Sequence, residues 1–283
     1  MKIIECPRDA MQGMSDFIPT TDKVRYLNKL LTVGFDTLDF GSFVSPKSIP
    51  QMRDTREVLE ALDSQSGQTK LLAIVANLRG AEEAAQYNAI DFLGFPLSIS
   101  ETFQQRNTNK SIPEALNTLE QIKEVCIRGN KKLVTYISMG FGNPYGDPYD
   151  TEMVSQFAGI LLALGTDVIS VADTVGAATS NDVNVVLKSV LYQFPGTEIG
   201  VHLHAAPGDT RAKLKAAYDA GCRRFDGALK GFGGCPMAKD ELIGNLATEE
   251  IIDFLSSEGH DLELNVDALN DALDIAAEIF PKR

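Results

Sequence analysis

The chain has 283 residues, with 26 basic against 39 acidic side chains and a net charge of −13. At this length roughly 73% of the extended chain's surface is buried on folding, a core that needs no disulfides. The acidic balance excludes a general nucleic-acid binder, and no apolar stretch approaches the roughly 20 residues of a membrane-spanning helix. Glu5, Arg8 and Asp9 interrupt any secretory leader. The four cysteines, at 6, 126, 222 and 235, form no C-x-x-C pair and read as reduced thiols of a cytoplasmic protein.

Short apolar runs alternate with helical patterns along the chain. Ile3–Cys6 reads as a strand and Thr21–Val33 as a helix that Gly34 ends. Thr37–Phe40 and Leu71–Val75 are strands, followed by helices over Asp54–Leu62 and Ala81–Tyr87. Ala89–Phe95 is a fourth strand, then a long polar loop and a helix carrying Ala115, Leu116, Leu119, Ile122 and Cys126. Lys132–Ser138 with Glu152–Leu164 makes the fifth pair. Val168–Ala172 precedes the most periodic helix, with Val183, Val186, Leu187, Val190, Leu191 and Phe194 on one face. Ile199–His204 with Thr210–Ala220, and Arg224–Ala228 with a helix from about Thr248, complete the eight. The last helix, Asp267–Phe280, is one more than eight pairs require.

Eight β-then-α units imply an α/β fold of the (β/α)8 TIM-barrel type. The expectation is a single catalytic domain over 1–283, including a C-terminal helical extension at about 261–283. An open doubly wound sheet usually carries a Gly-rich fingerprint after its first strand, and Cys6-Pro7-Arg8-Asp9 is not one. In a barrel the site lies where strands run into their following loops, so polar groups at those ends carry the functional reading.

His202-Leu203-His204 ends the seventh strand. Residues two apart share a face, so both imidazoles point into the barrel mouth, either as a metal pair or as hydrogen-bonded core histidines. His260 reads as a surface residue. Arg8-Asp9 ends strand one, where an acid can ligate a cation and an arginine can stabilise an enolate; a loop-edge ion pair is the alternative. Asp39 and Asp173-Thr174 lie on the same rim. Cys235, in Gly233-Gly234-Cys235-Pro236, reads as an accessible loop thiol, reactive or incidental, whereas Cys6, Cys126 and Cys222 read as buried. Asn245 is a turn residue or a neutral oxygen ligand.

These motifs, in this order, resemble the 3-hydroxy-3-methylglutaryl-CoA lyase family of metal-dependent barrel lyases and Claisen synthases. The resemblance spans nearly the whole chain: Glu5 to Gln12, Ser42-Phe43-Val44-Ser45-Pro46-Lys47 with Pro50-Gln51-Met52, Asp173-Thr174-Val175-Gly176, His202-Leu203-His204, Gly233-Gly234-Cys235-Pro236, and Gly244 to Glu249. It implies Asp9, His202, His204 and Asn245 as ligands of a divalent cation, Mg²⁺ or Mn²⁺. Arg8, Cys235 and Asp39 are the implied catalytic residues, and Gln12, Ser42, Asp173 and Thr174 the substrate-binding candidates. The implied reaction cleaves 3-hydroxy-3-methylglutaryl-CoA, or a close analogue, to acetyl-CoA and acetoacetate. A related aldolase or Claisen enzyme on another acyl-CoA or keto acid, and an inactive metal-binding barrel, are the alternatives.

The implied partners are the acyl-CoA thioester, with Lys47, Arg53, Arg106 and Lys110 as candidate charges for it, and a second copy in a cytoplasmic homodimer. Four departures bear on substrate identity, one of them Met237 where an aromatic residue commonly follows the Cys-Pro pair. Ala10-Met11-Gln12-Gly13-Met14 replaces the family's Gly-Leu-Gln-Asn-Glu, Asp39 replaces a Glu, and Ala205 stands where an Asp usually follows the second histidine.

Overall fold

The computed structural model describes residues 1–63, 68–206, 208–233 and 243–280. Eight strands, β1 (Lys2–Glu5), β2 (Thr37–Ser42), β3 (Lys70–Ile74), β4 (Ile90–Ser98), β5 (Lys132–Ser138), β6 (Val168–Ala172), β7 (Glu198–His202) and β8 (Arg224–Gly227), pair in parallel in chain order. β8 pairs back onto β1 and closes the barrel, as the alternation of patterns implied. Period two divides each strand between two layers. Leu72, Ile74, Phe92, Val134, Tyr136 and Val168 pack together inside, while the alternate residues Leu71, Ala73, Leu93, Leu133 and Ile169 join the layer beneath the helices.

The helices are α1 (Pro7–Gln12), α2 (Thr20–Leu31), α3 (Thr55–Glu60), α4 (Leu78–Ala84), α5 (Glu101–Thr108), α6 (Ile112–Arg128), α7 (Thr151–Ala163), α8 (Ser180–Gln193), α9 (Thr210–Asp219), α10 (Thr248–Ser257) and α11 (Val266–Ile279). Capping boxes start α6, at Ser111 with Glu114, and α8, at Thr179 with Asp182, satisfying otherwise orphaned backbone donors. Among the described residues no helix is long and apolar enough to cross a membrane.

Three segments differ from the sequence reading. Pro7–Gln12 is helical rather than a loop, because proline is preorganised for a first turn where its missing N–H costs nothing. Part of the polar loop after β4 is α5, started by the Ser100 side chain accepting from Phe103 N and by Asp147 accepting from Thr102 N. β7 also ends at His202, and His204 beyond it bridges to Asn245.

The additional C-terminal helix packs on α2, with Arg25–Glu278 and Lys29–Asp271 ion pairs along the seam. Beyond its end Phe280 is buried, stacked on Phe232 at 4.6 Å and edge-on to Tyr26 at 5.9 Å. Phe280→Ala therefore removes a buried ring and is expected to lower stability by about 3–5 kcal/mol in urea unfolding. A loss under about 1 kcal/mol would show that this ring is no part of the core.

Candidate metal centre and active site

One turn of helix at the end of β1 sets Arg8, Asp9 and Gln12 on a common side, three and four residues apart. Arg8 Nε donates to Asp39 Oδ1 and Oδ2 at 3.2 and 3.0 Å, and Nη2 donates to the same carboxylate. Its Nη1 donates to Asp9 Oδ1 and Gln12 Oε1, each at 3.0 Å. Gln12 Nε2 completes the ring with a 2.6 Å bond to Asp9 Oδ1. Burial disfavours the Arg8 charge, but the Asp39 and Asp9 carboxylates outweigh it and raise its pKa above the usual range. Burial pushes the Asp39 carboxyl up to about 6 against the pull of Arg8. Burial also works against the Asp9 charge, yet Arg8 and the two histidines hold that carboxyl below its ordinary value.

Asn245 Nδ2 donates to Asp9 Oδ2 at 2.7 Å and to the Phe232 carbonyl at 2.8 Å, leaving its buried Oδ1 without a hydrogen-bond partner among the described residues. His204 Nδ1 lies 3.2 Å from the Thr174 carbonyl, which assigns the proton to Nδ1, and its buried Nε2 has no partner among the described residues. The two imidazole rings stand 5.2 Å apart and nearly perpendicular. Ligand atoms of Asp9, His202 and His204 fall within 4.8 Å of one another. Buried polar atoms without partners are costly, and a carboxylate, two imidazoles and an amide oxygen suit a divalent cation. The donor set therefore fits the metal that the resemblance implies. Gly233 explains the glycine of that loop: it has φ +98°, and a Cβ there would lie 2.6 Å from Asn245 Nδ2 and 2.9 Å from the Asp9 carbonyl.

A second trio, Cys6, His202 and Asp226, also falls within 4.8 Å. Burial pushes the Cys6 thiol well above its usual range, and its Sγ is engaged in donating to the Ile4 carbonyl at 3.7 Å. The two histidines differ electrostatically. Burial opposes charge on both, but at His202 the Asp226 and Asp9 carboxylates prevail and raise the pKa, whereas at His204 burial and the neighbouring His202 lower it.

On the rim, both Asp173 oxygens accept from Ala178 N, and Oδ2 also accepts from the buried Lys213 ammonium at 2.9 Å. Lys213 further donates to the His204 carbonyl at 2.7 Å. Thr174 Oγ1 accepts from Met139 N, and Ser42 Oγ accepts from Val44 N. Lys47, Arg53, Arg106 and Lys110 lie on segments that follow β2 and β4; Arg53 stacks on Phe17 and Arg106 on Tyr145. Cys6, Cys126 and Cys222 are buried thiols, and Cys235 lies outside the described residues. His260 is partly buried, its ring bonded to the Tyr218 hydroxyl.

The buried ionisable residues that the sequence reading did not single out include Glu5, Lys213, Arg224 and Asp226. Glu5 accepts from Leu229 N at 2.9 Å and from the Thr248 hydroxyl, tying β1 to the segments that follow β8. Lys213 interrupts the apolar stripe of α9. Arg224 and Asp226 occupy alternate positions of β8, and charge at both positions of one strand face is the signal that marks them.

A family model described as HMGL-like matches residues 2–275. A hydroxymethylglutaryl-CoA lyase of Bacillus subtilis is 36% identical over 92% of this chain and 85% of its own. A 3-hydroxy-3-isohexenylglutaryl-CoA/hydroxymethylglutaryl-CoA lyase of Pseudomonas aeruginosa is 33% identical over 94% and 88%. The solved structure of an HMG-CoA lyase from Acinetobacter baumannii, in complex with coenzyme A and 3-methylmalate, superposes with a TM-score of 0.90 at 30% identity, covering 98% of this chain and 90% of that one.

Glu5 generates a pH prediction. Burial raises its carboxyl from 4.5 to about 8 despite the Thr248 and Leu229 hydrogen bonds. The folded protein keeps this proton across an interval in which the unfolded chain has released it, so stability falls as pH rises through that interval. Glu5→Gln is expected to be more stable than the parent by more than about 1 kcal/mol at the alkaline end, with the difference shrinking towards pH 4.5. A difference in urea unfolding that does not change with pH would contradict this.

Proposed function

The chain belongs to the HMGL-like family, with hydroxymethylglutaryl-CoA lyases among its relatives, and on that premise we propose that it is a divalent-metal-dependent carbon–carbon lyase. It cleaves 3-hydroxy-3-methylglutaryl-CoA to acetyl-CoA and acetoacetate. The observation that carries the reading is the buried donor cluster of Asp9, His202, His204 and Asn245 beside the Arg8 guanidinium. We assign these four as the ligands, with Mg²⁺ or Mn²⁺ as the ion.

When bound, the cation acidifies and orients the tertiary C3 hydroxyl of the substrate. The C3 hydroxyl gives up its proton to solvent water, which returns one to the C2 proton donor at the end of the cycle; the C2–C3 bond breaks, and its electron pair moves into the thioester as an enolate while C3 becomes the ketone of acetoacetate. Arg8, permanently charged and fixed by two carboxylates, stabilises the enolate oxygen without reorganising. Asp39 positions Arg8. Cys235 delivers the proton to C2 that completes acetyl-CoA, a role that rests on the resemblance. Gln12 and Ser42 are the direct substrate contacts; the hydrogen bonds of Asp173 and Thr174 support a role in shaping the rim behind His204.

Lys47, Arg53, Arg106 and Lys110 are positioned in sequence to meet the anionic CoA moiety. The reading includes one catalytic domain over 1–283, supported by the burial of Phe280, in a cytoplasmic homodimer. A second reading, cleavage of an analogue with a longer 3-substituent, draws on the Pseudomonas relative.

Acetyl-CoA release from 3-hydroxy-3-methylglutaryl-CoA is expected with Mg²⁺ or Mn²⁺ and is abolished by chelator. Silence from folded, metal-loaded protein that cleaves a longer analogue selects the second reading. Arg8→Gln is expected to lower turnover by about 10²–10³-fold with little change in Mn²⁺ affinity, and His204→Ala to weaken Mn²⁺ binding. Unchanged turnover in the first, or an unaltered titration in the second, removes that residue from its role.

A further inference from the structure

Beneath the donor cluster lies a set of charged groups that the proposed reaction does not use. Gly200 and His202 share the inward side of β7, and Arg224 and Asp226 share that of β8, with His202 paired to Asp226 in the strand register. Gly200 has no side chain where Arg224 passes: a Cβ there would lie 2.7 Å from both Cγ and Cδ of Arg224. The bare backbone thus admits a long cationic side chain into the barrel, where it is 2% exposed. Arg224 Nη2 lies 4.0 Å from Asp226 Oδ1, and its Nη1 lies 3.7 Å from Glu198 Oε1.

Asp226 is 1% exposed, and a carboxylate buried to that degree needs compensation. Ser170 donates to its Oδ2 at 3.1 Å. The same oxygen stands 3.4 Å from His202 Nδ1, an ion-pair distance, and that buried nitrogen makes no hydrogen bond among the described residues.

We propose that Asp226 is the positioning carboxylate of His202, and that Arg224, admitted by Gly200, holds Asp226 in that place. A proton kept on Nδ1, facing Asp226, leaves the Nε2 lone pair for the mouth of the barrel, the arrangement a metal-binding imidazole needs. His204 reaches the same tautomer differently, through the neutral Thr174 carbonyl. Strand β8 therefore supplies a carboxylate to the first histidine of the pair, while Ala205 supplies none beside the second. Asp226 acts through His202 and touches no substrate. The proposal rests on the metal reading above for its consequence, but not for its geometry.

The chain has three histidines, so ¹⁵N-histidine NMR resolves each ring, with assignments from single His→Gln variants. In metal-free protein in mildly alkaline buffer, His202 is expected as the Nδ1–H tautomer. In Asp226→Asn it is expected to become a tautomer mixture, with His204 unchanged, and the Mn²⁺ dissociation constant, read by electron paramagnetic resonance, is expected to rise by about 10–100-fold. Arg224→Met is expected to fall between the two. An Nε2–H tautomer in the parent protein overturns the proposal, as does an Asp226→Asn variant with an unaltered His202 tautomer and unaltered Mn²⁺ affinity. Should Asp226→Asn fail to fold, the Asp226→Asn/Arg224→Met pair removes both buried charges and is read in the same way. Parent protein that binds no Mn²⁺ defeats the metal reading instead, and the tautomer still decides the role of Asp226.

Discussion

Arg8 lies buried between two carboxylates, Asp39 on β2 and Asp9 on its own helical turn, and the order of the barrel mouth follows from that clamp. Asp9 is oriented by Arg8 and Gln12, Asn245 by Asp9, and the Phe232 carbonyl by Asn245. Phe232 in turn stacks on Phe280 beyond the last helix. A run of direct contacts thus joins the second strand, the first turn and the C-terminal helix. Desolvating three charges is costly, and buried ion pairs are weak sources of stability. What the clamp supplies is a fixed positive group beside a cluster of donor atoms.

The surroundings of the two histidines are arranged with different charge. His202 lies between Asp9 and Asp226, whereas His204 leans on a backbone carbonyl and has the Lys213 ammonium on its own carbonyl oxygen. Lys213 binds Asp173 at the same time, so α9 is fastened to the ends of both β6 and β7. A donor set built this way holds its geometry through the backbone on one side and through buried charge on the other. The net charge of −13 does not describe this region, where Arg8, Lys213 and Arg224 are interleaved with carboxylates.

Much of this was legible in the sequence, because period-two and helical patterns report burial directly. All eight strands and the extra helix were marked by apolar spacing, and the H-x-H pair and Arg8-Asp9 were marked by their place at strand ends. The short helix of Pro7–Gln12 was not, since six residues carry too little periodicity and only the proline hints at it. α5 was hidden in a polar stretch whose start depends on Asp147, far along the chain. Lys213, Arg224, Asp226 and Glu5 were missed for one reason. A buried ionisable group is tolerable only with partners from other elements and loops, and those partners are invisible until the barrel closes. Asp39 was found by position, but its engagement with Arg8 appears only in three dimensions.

The central claim is that the cation belongs among Asp9, His202, His204 and Asn245, with Asp226 behind His202 and not bound to the ion. Anomalous diffraction from crystals grown with Mn²⁺ tests it most directly. The account predicts one strong peak within bonding distance of Asp9, His202 Nε2, His204 Nε2 and Asn245 Oδ1. A peak among Cys6, His202 and Asp226, or none at either cluster at saturating Mn²⁺, would contradict it.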